Sequence, residues 1–271
     1  MSDAQAPLPH RQAAAFFDVD NTVIRGASAY HLARELYKRK FFGTADLLRF
    51  GFIQARYVMF GESRDQIDQV RERALSLIAG RTVAEVTAVG EEVYDTVLAL
   101  RIFPGTKKLL DQHLAAGDQV WLITATPVEI GRLIAGRLGA TGCLGTTAEH
   151  KDGFYTGRLR GDLMHGEVKA ASVRDLAERE GIDLERSYAY GDSLNDLPMM
   201  RAVGNPCPIN PDRRLRNYAR DVGWPIREFR GRRHRVAGRS VKTASWAGAA
   251  WVAGLVVRAV RRQIRKRLDL P

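Results

Sequence analysis

Cysteine is scarce in this sequence, and an apolar run of membrane-spanning length is missing. The two cysteines, Cys143 and Cys207, lie far apart among 271 residues, with no CxxC pattern and no Cys/His spacing. This disfavours a zinc site and a disulfide framework, and we expect isolated buried thiols in a reducing compartment. Residues 1–13 lack a continuous apolar segment, so we expect no secretory signal. The composition, 45% hydrophobic and 27% charged, is typical of a globular protein and disfavours disorder.

The net charge of +11 is concentrated at the end of the chain. Residues 227–271 hold 13 of the 42 lysines and arginines and only two acids, whereas acids and bases balance over residues 1–226. Net charge affects association with anionic partners rather than the fold. We therefore expect any such partner to bind the basic tail, residues 227–271, and not the rest of the chain.

Three short apolar runs each end in a polar cluster. AAAFFDV (13–19) is followed by a DNT turn, QVWLIT (119–124) by ATP, and SYAY (187–190) by GDSLND, with helical patterns between them. Buried strands alternating with helices predict an α/β fold, a Rossmann-like parallel sheet with helices on both faces. Ligands of such sheets bind outside the carboxyl ends of the strands, where these polar clusters lie.

Residues 26–100 interrupt the alternation, because they show helical periodicity and no convincing strand. A structureless loop of that length is uncommon in a compact domain. The sequence therefore predicts an inserted all-helical cap subdomain over 26–100. The core then comprises residues 13–25 and 101–226, and FPGT (103–106) marks the return of the chain to it.

Four separated pieces of the sequence carry side chains suited to phosphoryl chemistry. Asp18 and Asp20 follow the first strand, and two carboxylates there can divide attack on phosphorus from proton transfer. Thr124 offers a hydroxyl and Lys169 an ammonium to phosphate oxygens. The GDSLND turn (191–196) adds two acids that suit an oxygen-ligand magnesium site. Taken singly, each piece is more simply a solvated turn, a helix cap or a surface lysine; the ordered set favours catalysis.

The set of motifs resembles that of the haloacid dehalogenase (HAD) superfamily of phosphatases. DVDNT, LIT, the lysine of GEVKA and GDSLND occur in the order of that superfamily, over roughly residues 13–225. The insertion after the first motif is similar to that of subfamily IB, the phosphoserine-phosphatase-like branch. The resemblance implies a phosphoric monoester hydrolase with the HAD core and a helical cap.

The resemblance also implies roles for the acids. Asp18 would be the nucleophile that forms an aspartyl-phosphate, and Asp20 would be the general acid and then the general base. Mg²⁺ would be held by the Asp18 carboxylate, the main-chain carbonyl of Asp20 and Asp192. The expected cofactor is therefore magnesium, which favours carboxylate and water ligands.

The remaining motif residues are expected to bind the transferred group or to support the site. By resemblance, Thr124 and Lys169 would bind the phosphoryl group, while Asp196 and Asn195 would support the site beside Lys169. Phosphoryl transfer depends on positioning and on neutralising the charge of the equatorial oxygens, which magnesium and a lysine can supply.

The stretch after the first motif bears on the substrate. The phosphoserine phosphatases that the chain resembles use an acid there to bind the substrate's amino group, but residues 23–34 contain none. Phosphoserine is therefore disfavoured. Arg25, Arg71 and Arg73 would bind an anionic part of the substrate, or else lie on solvated helix faces. The apolar segment 41–60 packs within the cap or forms an entrance for a lipid-like substrate, so we expect a small-metabolite or phospholipid-derived monoester.

The tail contains an uncharged run of 15 residues, 243–257, which is shorter than the ~20 residues that span a bilayer. Two tryptophans in the run and six cations in 258–267 favour a peripheral anchor on an anionic membrane surface. Docking of a terminal helix on the body is the alternative, and nucleic acid is disfavoured. We expect a cytoplasmic protein, with peripheral association at the inner face of the membrane. A phosphotransferase, or a regulatory protein acting through this tail, is the alternative function.

Overall fold

The computed structural model describes residues 12–41, 75–76 and 78–230, in which strands and helices largely alternate. A π-helical turn over Tyr94–Leu98 extends the second helix, and a 3₁₀ turn over Leu194–Asp196 precedes the sixth. In chain order the elements are β1 Ala14–Asp18, α1 Ser28–Lys38, α2 Val83–Val93, α3 Pro104–Ala115, β2 Gln119–Pro127, α4 Val128–Leu138, β3 Gly142–Thr146, β4 Ala148–Lys151, β5 Phe154–Leu159, α5 Glu167–Glu180, β6 Tyr188–Tyr190, α6 Leu197–Arg201, β7 Asn205–Pro206 and α7 Arg213–Asp221.

Five strands form one parallel sheet in the order β3-β2-β1-β6-β7. The central strand β1 is apolar up to Asp18 and buried along its whole length, as expected of a strand covered on both faces. Phe17 stacks on Tyr190 and meets the edge of His113 on α3, whereas its neighbour Phe16 belongs to a buried cluster with Val173 of α5. Because side chains alternate across a strand, helices cover both faces. The predicted α/β fold is confirmed.

The strand register sets the positions of the polar clusters. Asp18 lies beside Ile123 of β2, one residue before Thr124, and Phe17 lies beside Tyr190, two residues before Asp192. Parallel strands end at the same edge of a sheet. The three polar clusters that follow β1, β2 and β6 are therefore brought to one edge.

The described residues divide into two compact units. The first comprises residues 12–28, 94–146 and 162–230 and contains the five-stranded sheet; the second comprises residues 29–41, 75–76, 78–93 and 147–161. Strands β4 and β5 of the second unit form an antiparallel hairpin around Asp152 and Gly153, both at positive φ. The Asp-Gly pair that favours such a turn is present in the sequence, but the hairpin was not predicted and lies within the expected core range.

Several predictions from the sequence concern residues outside those described. Residues 42–60 of the apolar segment are among them, as are Arg71, Arg73 and the tail from residue 231, including the run 243–257. Among the described helices, none combines the length and the apolar character needed to cross a bilayer. The two cysteines are buried free thiols, as predicted.

Gly204, next to β7, tests the packing around that strand, and Gly136 on α4 provides the control. A Cβ on Gly204 would overlap the main-chain carbonyl oxygen of Glu185, which cannot move aside as a side chain can. Gly204→Ala should lower the free energy of unfolding by on the order of 1–3 kcal/mol. Gly136→Ala, on the exposed side of α4 with open space around it, should raise that free energy by about 0.5–1 kcal/mol. Urea titration measures both, and equal effects would contradict the assigned packing.

Candidate active site

Lys169 lies in the first turn of α5 and joins two carboxylates from distant parts of the chain. Its Nζ donates to Asp18 Oδ1 at 2.5 Å and to Asp196 Oδ1 at 2.7 Å. All three residues are buried, with Lys169 only 3% exposed. Carboxylate oxygens of Asp18, Asp192 and Asp196 lie within 4.8 Å of one another. The structure thus brings the end of β1, the start of α5 and the turn after β6 to one point.

Burial and mutual repulsion determine the acidity of this cluster. Burial, together with the charge of Asp196, raises the pKa of Asp18 from 3.8 to about 7 despite the opposing effect of Lys169. Burial and the charges of Asp18 and Asp196 likewise raise the pKa of Asp192 well above its ordinary value. For Lys169, burial alone would lower the pKa, but the two carboxylates outweigh burial and the pKa is raised. Lys169 is therefore a cation in a cluster that contains three acidic side chains.

Asp196 also fixes the turn that carries Asp192. Its second oxygen, Oδ2, accepts from the main-chain N–H groups of Asp192 and Ser193, both at 3.3 Å, and from the Ser193 hydroxyl at 3.2 Å. A Cβ on Gly191 would lie 2.5 Å from that of Asp196, which explains the glycine at the start of the turn. Asn195, the other predicted supporting residue, is exposed in the same turn.

Asp20 is held by a chain of hydroxyl groups. Its Oδ1 accepts from the Ser28 main-chain N–H at 2.9 Å and from the Ser28 hydroxyl at 2.6 Å. The Ser28 hydroxyl lies 2.9 Å from that of Thr126, and the Thr126 N–H donates to Thr124 Oγ1 at 3.1 Å. Because Ser28 gives its single hydroxyl proton to Asp20, the Thr126 hydroxyl must donate to Ser28. The chain of contacts runs from predicted phosphate ligand Thr124 to predicted acid Asp20.

The sequence analysis does not identify Ser28 and Thr126 as site residues. The structure shows that both are almost fully buried. Thr126 carried a weak indication, because it lies two positions after Thr124 on the same strand and side chains two apart share a face. Ser28 carried none, since its link to Asp20 depends on the path of the intervening loop. In that loop Asn21 adopts a positive φ and accepts from the Gly26 N–H, turning the chain back toward the strand end.

The donor set of the cluster suits a hard divalent cation. Magnesium in proteins is commonly held by one or two carboxylates together with water and substrate phosphate. Asp18 and Asp192 provide two such carboxylates, and because burial and the neighbouring acids raise the pKa of each, a bound cation would favour their ionised forms. Asp196 lies in the same cluster but is already engaged by Lys169 and by its own turn. We therefore expect Asp18 and Asp192 to be the carboxylate ligands.

Residues 15–201 match the family model described as haloacid dehalogenase-like hydrolase. The chain belongs to this family. A protein named phosphoserine phosphatase SerB1, from Mycobacterium tuberculosis, is 51% identical over 265 residues, 97% of this chain and 85% of that protein. Another M. tuberculosis protein, named probable phosphatase Rv3661, is 32% identical over 262 residues, 96% of this chain and 91% of that protein.

A solved structure extends the similarity to three dimensions. The crystal structure of a protein of unknown function from Bordetella pertussis Tohama I is 30% identical, with a TM-score of 0.70 over 81% of this chain and 100% of that one. The HAD resemblance inferred from the four motifs is confirmed, and so is the phosphatase class that it implies.

The raised pKa of Asp18 predicts a pH-dependent gain in stability for Asp18→Asn in the metal-free HAD protein. The folded protein keeps the Asp18 proton up to about pH 7, whereas the unfolded chain loses it near pH 4. The contribution of Asp18 to the free energy of unfolding therefore decreases as the pH rises from about 4 to about 7. In EDTA, the Tm of Asp18→Asn relative to wild type should therefore be higher at pH 8 than at pH 5.

The control for this measurement is Asp175→Asn, on the exposed side of α5, whose Tm difference from wild type should not change with pH. Lys169 keeps Asp196 in the variant and stays charged across this range, so its altered pairing cancels in the comparison. A Tm difference for Asp18→Asn that is constant or falls with pH would contradict the assigned acidity.

Proposed function

We propose that the protein is a magnesium-dependent phosphatase that hydrolyses a phosphate monoester through an aspartyl-phosphate on Asp18. The observation that carries the proposal is that the Asp18 carboxylate accepts a hydrogen bond from Lys169 and lies in one cluster with the Asp192 carboxylate at the carboxyl edge of the sheet. Such an arrangement holds a carboxylate nucleophile beside a buried cation. Magnesium, when bound by Asp18 and Asp192, would supply further positive charge for the phosphoryl oxygens.

In the first step a carboxylate oxygen of Asp18 attacks phosphorus, and the bond from phosphorus to the ester oxygen breaks. Asp20 gives its proton to that oxygen, so the alcohol leaves neutral. In the second step Asp20 takes a proton from water, whose oxygen attacks the phosphorus of the acyl phosphate. Inorganic phosphate leaves, the Asp18 carboxylate is restored, and Asp20 is again protonated. Lys169 offsets negative charge beside the nucleophile in both steps.

Two opposing observations bear on the choice of substrate. One relative is named a phosphoserine phosphatase, yet residues 23–34 offer no acid for a substrate ammonium. Arg25 is exposed there, with its guanidinium carbon 5.3 Å from the centre of the Phe103 ring. We favour a small-metabolite or phospholipid-derived monoester with a further anionic group over phosphoserine.

A panel of phosphate monoesters, with Mg²⁺ and with EDTA, tests the function. We expect hydrolysis that requires Mg²⁺, with Asp18→Asn reducing kcat by at least about a thousandfold, because the nucleophile is lost. Asp175→Asn is the matched control and should keep wild-type activity. Mass spectrometry of the acid-quenched wild type should find a phosphoryl group on Asp18. Hydrolysis in EDTA, or by Asp18→Asn at the wild-type rate, would refute the mechanism.

The same reactions separate hydrolysis from phosphoryl transfer. With an added alcohol as acceptor, a phosphatase releases one molecule of inorganic phosphate for each molecule of leaving alcohol. A phosphotransferase instead yields a new ester and less free phosphate. We expect the first result, and a predominance of the new ester would support the alternative.

Ser28 is predicted to be a positioning residue for Asp20, with an effect that depends on the leaving group. Ser28→Ala should lower kcat/KM for an alkyl phosphate by at least about tenfold, because its leaving oxygen needs a proton. For p-nitrophenyl phosphate, whose phenolate leaves without one, the loss should stay below about threefold. Thr126→Val should show the same selectivity, and Thr126→Ser, which keeps the hydroxyl, should restore activity. Equal losses for both substrates would indicate a merely structural role.

A further inference from the structure

The segment Arg227–Arg230, which we call the strap, is attached beside the active site in the first unit. The Arg227 N–H donates to Pro208 O at 2.9 Å, and the Asn210 N–H donates to Arg227 O at 2.8 Å. The strap therefore pairs in parallel, at Arg227, with Ile209 in the segment that follows β7. Glu228 forms an ion pair with Arg216 on α7. The path of the strap is thus set by main-chain and side-chain contacts.

Asn210 and Phe229 fix the end of the strap. Asn210 is fully buried, and its Oδ1 accepts from the N–H groups of Phe229 at 2.7 Å and Arg230 at 3.0 Å. The Asn210 amide also donates to the main-chain oxygen of Asn21, in the loop after Asp20, at 3.4 Å. The Phe229 ring fills the space that a Cβ on Gly105 would occupy. The backbone of Arg230 is therefore held next to the loop that follows β1.

From this backbone position the Arg230 side chain reaches Asp192, one of the three acids of the cluster. Its Nη2 lies 3.8 Å from Asp192 Oδ2, and the side chain is 39% exposed, against 4% for that of Lys169. An ion pair so long and so exposed is weak, so the guanidinium can leave Asp192 for another anion at little cost. Arg230 thus places a solvent-accessible cation at a site whose other described cation, Lys169, is buried.

The side-chain donors described so far leave room for a further donor to the phosphoryl group. A phosphate monoester dianion presents three non-bridging oxygens. Lys169 has three ammonium protons, two of which go to Asp18 and Asp196, and Thr124 has one hydroxyl proton. A guanidinium offers five donors in a planar fork that matches phosphate oxygens in pairs.

We propose that Arg230 binds the phosphoryl group of the substrate, exchanging its loose contact with Asp192 for phosphate oxygens. This inference rests on the proposed function, which it deepens by adding a substrate-binding residue outside the four sequence motifs. The strap positions Arg230, because Asn210 and Phe229 hold the Arg230 backbone in place before substrate binds. The C-terminal end of the described chain is therefore part of the active site.

The test compares Arg230→Ala and Arg230→Lys with Arg214→Ala, which removes the same charge from an exposed position on α7. Calorimetry gives the Kd of inorganic phosphate in the presence of Mg²⁺, and of Mg²⁺ alone. Steady-state kinetics with p-nitrophenyl phosphate give KM and kcat. Arg230→Ala should raise the phosphate Kd and the KM about tenfold, the loss expected for a charged hydrogen bond, with kcat changed less than about threefold. Arg230→Lys should lie between, and Arg214→Ala should match wild type.

A second variant tests the strap itself. Phe229→Ala keeps Arg230 but removes the ring from Gly105, so it should also raise the phosphate Kd and leave the Mg²⁺ Kd unchanged. If Arg230→Ala binds phosphate as Arg214→Ala does, or shifts the Mg²⁺ Kd as much as the phosphate Kd, the proposal is overturned. A wild-type protein that binds phosphate but hydrolyses no monoester would refute the proposed function while the binding comparison still decides the role of Arg230.

Discussion

The buried ammonium of Lys169 is the constraint on which the rest of the site depends. A lysine held away from water costs several kcal/mol unless carboxylates compensate its charge. Asp18 and Asp196 do so from positions 151 and 27 residues away. The pairing requires β1, the start of α5 and the turn after β6 to meet at one edge of the sheet. Asp192 follows from the same turn, and its carboxylate completes the acidic cluster.

The cluster combines two opposite demands. In the proposed mechanism the Asp18 carboxylate must be ionised to attack, yet burial and neighbouring acids favour its protonated form and raise its pKa. The ammonium of Lys169 and the loosely paired guanidinium of Arg230 are two cations beside three acids whose carboxylate oxygens lie within 4.8 Å of one another. The site is therefore poised to take up positive charge, and a divalent cation bound there would return Asp18 to its reactive state. Under the proposed function, magnesium and the nucleophile would in this sense depend on each other.

Sequence reasoning predicted the parts of this molecule that depend on local patterns. The short apolar strands, their polar ends and the four motifs define the sheet, the family, and the convergence of Asp18 with Lys169 and Asp192. It missed contacts set by the tertiary path of the chain. Ser28 reaches Asp20 only because the loop between them turns back, and Arg230 reaches Asp192 only because the strap pairs beyond β7. The β4–β5 hairpin was not predicted because its strands are short and apolar and polar residues alternate only weakly along them.

The strap has a consequence for how the protein is made. Domains form as the chain leaves the ribosome, amino-terminal parts first. Asp18, the proposed nucleophile, emerges early, but Lys169 follows 151 residues later and Asp196 another 27 residues after that, and Arg230 emerges only after every strand of the sheet. A nascent chain therefore cannot assemble the proposed phosphate site until the residues beyond β7 have emerged. Translation products that end before α5 would carry the proposed nucleophile without Lys169, the buried cation beside it.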